Sequence, residues 1–382
     1  MAALDPPRLL FVVTEDWYFL SHRIALARAA QAAGYEVHLA TRIGEHTETL
    51  KSAGIVLHPL GWSRGSTNPL RELRALVDLV RICRTVRPDI VHYVAMKTIV
   101  YGALCQVFAP RAFIVNAVSG LGSVYSVQSL RTRILRTAVN GILGLLLRRQ
   151  TGVVVVQNPD DGTFFEESGF AAADRIRLIP GAGIDTQKFH PTPEPEPTPI
   201  VASVVARMLW DKGIAETVEA ARLLKDRAVA VRIRLIGPPD PQNPNSVPEE
   251  TLEAWTRDGV VDWMGARSDI ADVWAESHIA VLASYREGLP RSLLEAASCG
   301  RAMVTTDTSG CRMLVRHEQN GLIVPVADAA ALADAIERLV RDDALRHTLG
   351  ARARQDVLDT FSDDHINAAF LALYRSAGPK RT

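Results

Sequence analysis

Short apolar, largely β-branched runs alternate with longer stretches of helical periodicity along the whole chain, and that alternation restricts the fold to parallel sheets wound by helices. The runs that read as strands are 8–13, 36–40, 55–60, 89–94, 112–118, 152–156 and 176–179 in the first half. In the second half they are 199–205, 230–236, 260–263, 279–283, 302–306 and 322–324. Between the first two, 21–33 reads as a helix whose apolar face carries Ile24, Leu26, Ala27 and Ala30 before Gly34 stops it. Pro191 to Pro199, with proline at every second position, cannot form helix or central strand and reads as a stiff, extended linker.

The predicted architecture is α/β, with two doubly wound Rossmann-like domains facing each other across a cleft. An N-terminal domain is expected over 1–185, the proline-rich linker over 186–199, a C-terminal domain over 200–362, and a last helix and tail over 363–382. Ligands of open α/β sheets bind beyond the C-terminal strand ends, so the chemistry is expected in that cleft.

Composition narrows the partners. In 382 residues, 43 Lys and Arg balance 43 Asp and Glu, which excludes the broad basic surface that a nucleic acid would need. An anion site must then be local. Cys83, Cys105, Cys299 and Cys311 are dispersed, with no Cys-x-x-Cys pair, and read as buried, reduced thiols in a reducing compartment. Leu9 to Val13 is too short for a signal segment and reads as the first strand. No stretch approaches the ~18 apolar residues that a membrane span needs.

The segment Ser284-Tyr-Arg-Glu-Gly-Leu-Pro-Arg-Ser-Leu-Leu-Glu-Ala-Ala-Ser-Cys-Gly300 follows the apolar run Ile279 to Ala283, turns at Gly288 and is expected to enter a helix at Pro290. Backbone amides around Gly288, Leu289 and Arg291 and the positive end of the helix dipole favour an anion there. Glu287 lies in the loop and Glu295 in the second helical turn, where a carboxylate can accept from two vicinal hydroxyls, as on a ribose. An ordinary helix preceded by an acidic loop explains the same spacing equally well. A second loop, Val204-Val-Ala-Arg-Met-Leu-Trp-Asp-Lys-Gly213, ends another apolar run and carries Arg207 and Lys212, a guanidinium and an ammonium suited to two phosphates. By itself it is also a plain solvated loop; the two segments together make a phosphate site.

These segments, with Thr306-Asp-Thr-Ser-Gly-Cys-Arg312, resemble the retaining glycosyltransferases of family 4, which have the GT-B fold. In the first half, Phe19-Leu-Ser-His-Arg23, Val91-His-Tyr-Val-Ala-Met-Lys97, Ser119-Gly-Leu-Gly122 and Gln157-Asn-Pro-Asp160 resemble the subgroup that extends sugars on polyprenyl diphosphate carriers. The resemblance implies that Arg207 and Lys212 hold the diphosphate of a nucleotide sugar and Glu295 its ribose. Glu287 with the backbone of Gly288 and Leu289 would hold the donor sugar. His22, placed at the start of a helix after the first strand, and His92 and Lys97, placed after the fourth, could face the cleft and meet an acceptor. His22, Lys97, Ser119 and Gly120 are the acceptor-side candidates, and Ser119 stands where many family members have a histidine.

The implied activity is transfer of a hexose or N-acetylhexosamine from a nucleotide diphosphate sugar, UDP-linked by expectation, to a polyprenyl-diphosphate-linked sugar in surface glycan assembly. Glu287, Arg207 and Lys212 would carry the reaction. No two aspartates are separated by one residue, so no metal and no other cofactor is expected. Residues 129–149 have apolar Ile134, Leu135, Ala138, Ile142, Leu145 and Leu146 on one face, with Arg133, Arg136 and Arg148 elsewhere. That pattern fits either a helix packed on its sheet or one lying on an anionic membrane. The expected location is cytoplasmic, peripheral on the inner face of the cell membrane. Two rivals stay open: a nucleotide-sugar 2-epimerase of the same fold, and a non-catalytic, membrane-associated subunit of a glycan assembly complex. A dehydrogenase does not, because Gly181-Ala-Gly183 and Gly120-Leu-Gly122 lack the third glycine of a dinucleotide fingerprint.

Overall fold

The computed structural model describes residues 5–62, 69–106, 112–119, 140–141, 144, 146–196, 198–241 and 243–377. It divides into two compact units, one of Met1–Gly183 with Ile366–Thr382 and the other of Ile184–His365.

The first unit is built on a parallel sheet of β1 (Arg8–Glu15), β2 (Glu36–Arg42), β3 (Val56–Pro59), β4 (Ile90–Val94), β5 (Phe113–Ala117), β6 (Gly152–Val156) and β7 (Ile176–Leu178), in the order β3-β2-β1-β4-β5-β6-β7. Leu9 of β1 pairs with Val37 on one side and Ile90 on the other. Because side chains alternate across a strand, Leu10 and Val12 enter one apolar core while Leu9, Phe11 and Val13 enter another. That two-sided burial is why β1 reads as an unbroken apolar run.

Two helices stand where one was expected over 21–33. Asp16–His22 and Ile24–Ala32 are separated by Arg23, whose φ of −132° leaves the helical region. The Arg23 guanidinium is buried, donates to the Gly181 carbonyl at 3.4 Å, and lies 5.5 Å from the Phe370 ring centre. The buried face of the second helix is Leu26, Ala27 and Ala30. Phe370 belongs to the last helix, Asp363–Ser376, which packs Ile366, Phe370, Leu373 and Tyr374 into the core of this unit. Ile366 to Ala377 are thus part of the first unit and not a separate tail.

The second unit has β8 (Ile200–Val205), β9 (Val231–Ile236), β10 (Asp262–Trp263), β11 (Ile279–Leu282), β12 (Ala302–Thr306) and β13 (Leu322–Val324), in the order β10-β9-β8-β11-β12-β13. All pairings between these strands are parallel. Ala202, Val204, Val281 and Val304 fill one core, and Ala280, Leu282 and Met303 fill the one on the opposite face.

The segment expected as a linker over 186–199 is instead bound to the second unit. Phe189 is buried, and its carbonyl accepts from Ser298 Oγ at 2.5 Å. The buried Arg301 donates to Thr192 Oγ1 at 2.6 Å, and the buried Arg346 to Glu194 at 3.0 Å. An extended proline-rich chain has no internal hydrogen bonds, so these guanidiniums can satisfy it from outside. Burial alone would raise the Glu194 carboxyl; Arg346 and His347 pull it below its ordinary value.

Candidate active site

In each sheet the strand order reverses once, between β1 and β4 in the first unit and between β8 and β11 in the second. The crevice outside the C-terminal strand ends at such a point is where doubly wound folds bind ligands. In the second unit, the loops leaving β8 and β11 are the Arg207–Lys212 and Glu287 segments.

The β8 loop is anchored by buried Met208 and Leu209 and closes with a short turn over Trp210–Lys212. Gly213 follows at φ +71°, leading into helix Ile214–Asp226; a Cβ there would lie 2.0 Å from the Ala283 carbonyl oxygen, so only glycine fits. The β11 loop is stitched to it through one acceptor. The Asp211 carbonyl accepts from Tyr285 N at 2.9 Å and from Ser284 Oγ at 3.1 Å. Thr306, at the end of β12, donates its hydroxyl to the Ser284 carbonyl. Tyr285 reaches Glu216 on the following helix at 2.6 Å, and that hydrogen bond pushes the phenol up to about 12. Two loops 73 residues apart in sequence are therefore held as one rigid edge.

On this edge Lys212 Nζ and Glu287 Oε1 are 2.5 Å apart, with both side chains mostly buried. Arg207 Nη1 meets Asp240 Oδ2, on the loop after β9, also at 2.5 Å. Helix Arg291–Ser298 begins one residue later than expected, with Pro290 as its N-cap. Glu295 is 8% exposed and accepts from Arg291 Nε at 3.0 Å. Burial raises the Glu295 carboxyl above its ordinary value, against the pull of Arg291 and, more weakly, of Lys188. The helix Ser309–Leu314 abuts the Glu287–Gly288 backbone so closely that a Cβ on Gly310 would lie 2.5 Å from the Gly288 oxygen and 2.6 Å from the Glu287 oxygen. Cys311 beside it is no nucleophile at neutral pH, since burial pushes its thiol up to about 11.

The sequence thus named three of the charged groups at this edge, Arg207, Lys212 and Glu287, with Glu295 on the helix that follows it, and missed two parts of the edge. Asp240 sits at the neighbouring strand end, after Gly237-Pro-Pro, which is its only sequence signal. The role of the Asp211 carbonyl has none.

The first unit uses its reversal point differently. Asp16, which sequence reasoning passed over, follows β1 and is buried. Its Oδ1 accepts from Trp17 N at 2.7 Å, and its Oδ2 from Gly44 N at 2.8 Å and His46 N at 3.2 Å. Lys97, on helix Met96–Gln106, pairs with Glu72 at 3.1 Å and lies 5.8 Å from the Tyr101 ring centre. His22 closes its helix and does not open one; its Nδ1 is 2.6 Å from Ser21 Oγ and its ring stacks on Tyr18 at 4.1 Å. His92, read as following β4, lies within it and is fully buried, with Nδ1 2.6 Å from the Tyr374 hydroxyl. Burial, and secondarily Arg23, holds its pKa well below the ordinary histidine range, so it is a neutral structural group. Ser119 is half-buried just beyond β5. Gly120, and 129–139, 142, 143 and 145 of the basic stretch, lie outside the described residues.

Two family models match this chain, "Glycosyl transferases group 1" over residues 199–342 and "Glycosyl transferase 4-like" over 8–157. It is 30% identical, over 93% of its length and 97% of the relative's, to the N,N'-diacetylbacillosaminyl-diphospho-undecaprenol alpha-1,3-N-acetylgalactosaminyltransferase of Campylobacter jejuni. The chain belongs to the retaining glycosyltransferases of family 4. A UDP-Gal:alpha-D-GlcNAc-diphosphoundecaprenol alpha-1,3-galactosyltransferase of Escherichia coli is 21% identical to this glycosyltransferase over 77% of its chain and 76% of the relative's. Among solved structures, Anabaena Alr3699/HepE in complex with UDP-glucose superposes with a TM-score of 0.75 at 19% identity, covering 97% of this chain and 99% of that one. That likeness is of fold, and the fold is GT-B. Among the described residues no helix is long and apolar enough to cross a membrane.

Proposed function

We propose that this glycosyltransferase moves a hexose or N-acetylhexosamine from a UDP-linked donor to a polyprenyl-diphosphate-linked sugar in surface glycan assembly. The observation that carries this reading is the Lys212–Glu287 pair on the rigid edge formed by the β8 and β11 loops. In the transfer, the bond from the anomeric carbon to the donor phosphate oxygen breaks while an acceptor hydroxyl oxygen bonds to that carbon, and the hydroxyl proton passes to the departing diphosphate oxygen. Negative charge grows on the leaving diphosphate, and Lys212 and Arg207 would stabilise it by exchanging Glu287 and Asp240 for phosphate oxygens. A fixed donor aimed at developing charge is worth about 3 kcal/mol or more in a site that excludes water. Glu287, released from Lys212, would hold hydroxyls of the donor sugar with the backbone of Gly288 and Leu289, while Glu295 would accept from the ribose hydroxyls. These two cations supply the charge a metal would otherwise supply, so the reaction is proposed to be metal-independent.

The acceptor class is supported by the names of the Campylobacter and Escherichia relatives, both of which carry an undecaprenol diphosphate sugar. A lipid-linked acceptor supports a peripheral location on the inner face of the cell membrane, and the basic amphipathic pattern of 129–149 is compatible with contact to anionic lipid. The test is incubation with a panel of nucleotide sugars and polyprenyl-diphosphate sugars in EDTA, read by mass spectrometry. A transferred sugar on a lipid-linked acceptor is expected, and its loss in Glu287→Ala. A converted donor without any acceptor would identify an epimerase, and no product with any pair would overturn the reading.

A further inference from the structure

Helix Pro69–Val86 is apolar on two sides. Its inner side buries Ala75, Leu79 and Cys83 in the first unit's core. Its outer side carries Leu70, Leu73 and Val77, which are 76%, 58% and 40% exposed. Arg74, Arg81 and Arg84 are exposed as well. At about 100° per residue, all six lie within about 60° of the line through Leu70. The two acids of the helix are off that face: Asp78 stands at its margin, 3.4 Å from Arg81, and Glu72 is bound to Lys97 and Tyr101. A surface helix of a globular protein ordinarily shows solvent a polar face. Here three aliphatic side chains are interleaved with three arginines.

We infer that this outer face docks the enzyme on an anionic bilayer surface. The inference rests on the reading that the acceptor is lipid-linked, and it assigns the contact to a surface other than 129–149. The match is chemical. Guanidiniums at the level of the headgroups pair with lipid phosphates, often bidentately. Leucine and valine between them enter the boundary with the acyl chains, as for other interfacial amphipathic helices. A face of one charge sign, without a carboxylate in its centre, selects anionic lipid over neutral lipid. A helix lying flat in this way keeps the enzyme on the surface that would present a carrier-bound sugar.

The test is flotation of the full-length protein with vesicles of phosphatidylcholine alone and of phosphatidylcholine with phosphatidylglycerol. Wild type is expected to float with the anionic vesicles and to be released by salt. Arg74→Gln with Arg81→Gln should weaken that binding by about thirtyfold, and Leu73→Ser with Val77→Ser should abolish it at low lipid. Arg222→Gln, on a helix of the second unit, should change nothing. Circular dichroism and donor binding should be unchanged in all variants, because every substituted side chain is exposed. Equal flotation of wild type and both double variants, equal flotation with neutral vesicles, or no flotation of wild type overturns the inference. A water-soluble, short-chain acceptor separates it from the proposed function: transfer without vesicle binding sinks the docking face alone, and vesicle binding without any transfer sinks the proposed function alone.

Discussion

At the reversal point of the first unit the charged groups are committed to the backbone and to one another as scaffold, whereas at that of the second they are paired in a way a ligand can replace. Asp16 spends both oxygens on the amides of Trp17, Gly44 and His46, fixing the chain after β2. Lys212 and Glu287 instead meet only through side-chain ends, above a loop edge that is held independently by the Asp211 carbonyl and Thr306. Removing a ligand from the second arrangement restores an ion pair; removing the carboxylate from the first leaves amides without an acceptor. The same topology thus supplies two places for a ligand, and the proposed phosphate chemistry falls at the one whose charges can exchange partners.

Substitutions sharpen this contrast, from the largest effect to the smallest. Lys212→Ala should lower kcat/KM by about a thousandfold, the scale of a lost transition-state contact, with an unchanged fold by circular dichroism. A loss under tenfold would put the diphosphate elsewhere. Gly310→Val should lower kcat by roughly a hundredfold, because its Cβ would push on the Glu287–Gly288 carbonyls, with Tm lowered by several degrees while circular dichroism still shows the native fold. A fully active Gly310→Val would mean that the position of that backbone is not critical. Lys97→Met should cost less than about tenfold, mostly in acceptor KM, because Lys97 already serves Glu72; a loss as large as that of Lys212→Ala would erase the distinction between the two ends.

The smallest expected effect is on pH. His38 and His58 in the first unit are held below the ordinary value of 6.5 by burial, and His92 well below it. The folded unit then binds fewer protons than the unfolded chain. Its stability is complete above 6.5 and declines as pH falls below it. In the second unit burial likewise holds His278 below its ordinary value, but it also raises Glu295 and pushes Asp363 up to about 6, and these two work the other way, since protonation of a raised carboxyl favours the folded form. Hydrogen exchange, corrected for its intrinsic pH dependence, should loosen β4 more than β12 between about pH 7 and about pH 5. Uniform loosening would contradict these assignments.

The strands were legible because parallel strands buried on both faces write themselves as runs such as Gly152–Val156 and Ile279–Leu282. That Arg207, Lys212 and Glu287 stand on loops at strand ends was legible because each follows such a run; what they bind is a proposal. What the sequence hid are partners distant along the chain. Arg23 breaks a helix toward a carbonyl 158 residues away, and Glu194 holds its proline-rich segment down through Arg346, 152 residues away. His92 was read toward the ligand although it lies within β4; alternation alone cannot tell a buried polar residue from an active one.

The central claim is that the β8–β11 edge binds a nucleotide diphosphate through its own cations. Calorimetric titration of UDP in EDTA into wild type, Lys212→Ala and Lys97→Ala tests it most directly. Binding should persist without metal, weaken by about tenfold or more in Lys212→Ala, and stay as in wild type in Lys97→Ala. Binding that requires added Mn²⁺ or Mg²⁺, or that Lys97→Ala weakens as much as Lys212→Ala does, would contradict the account.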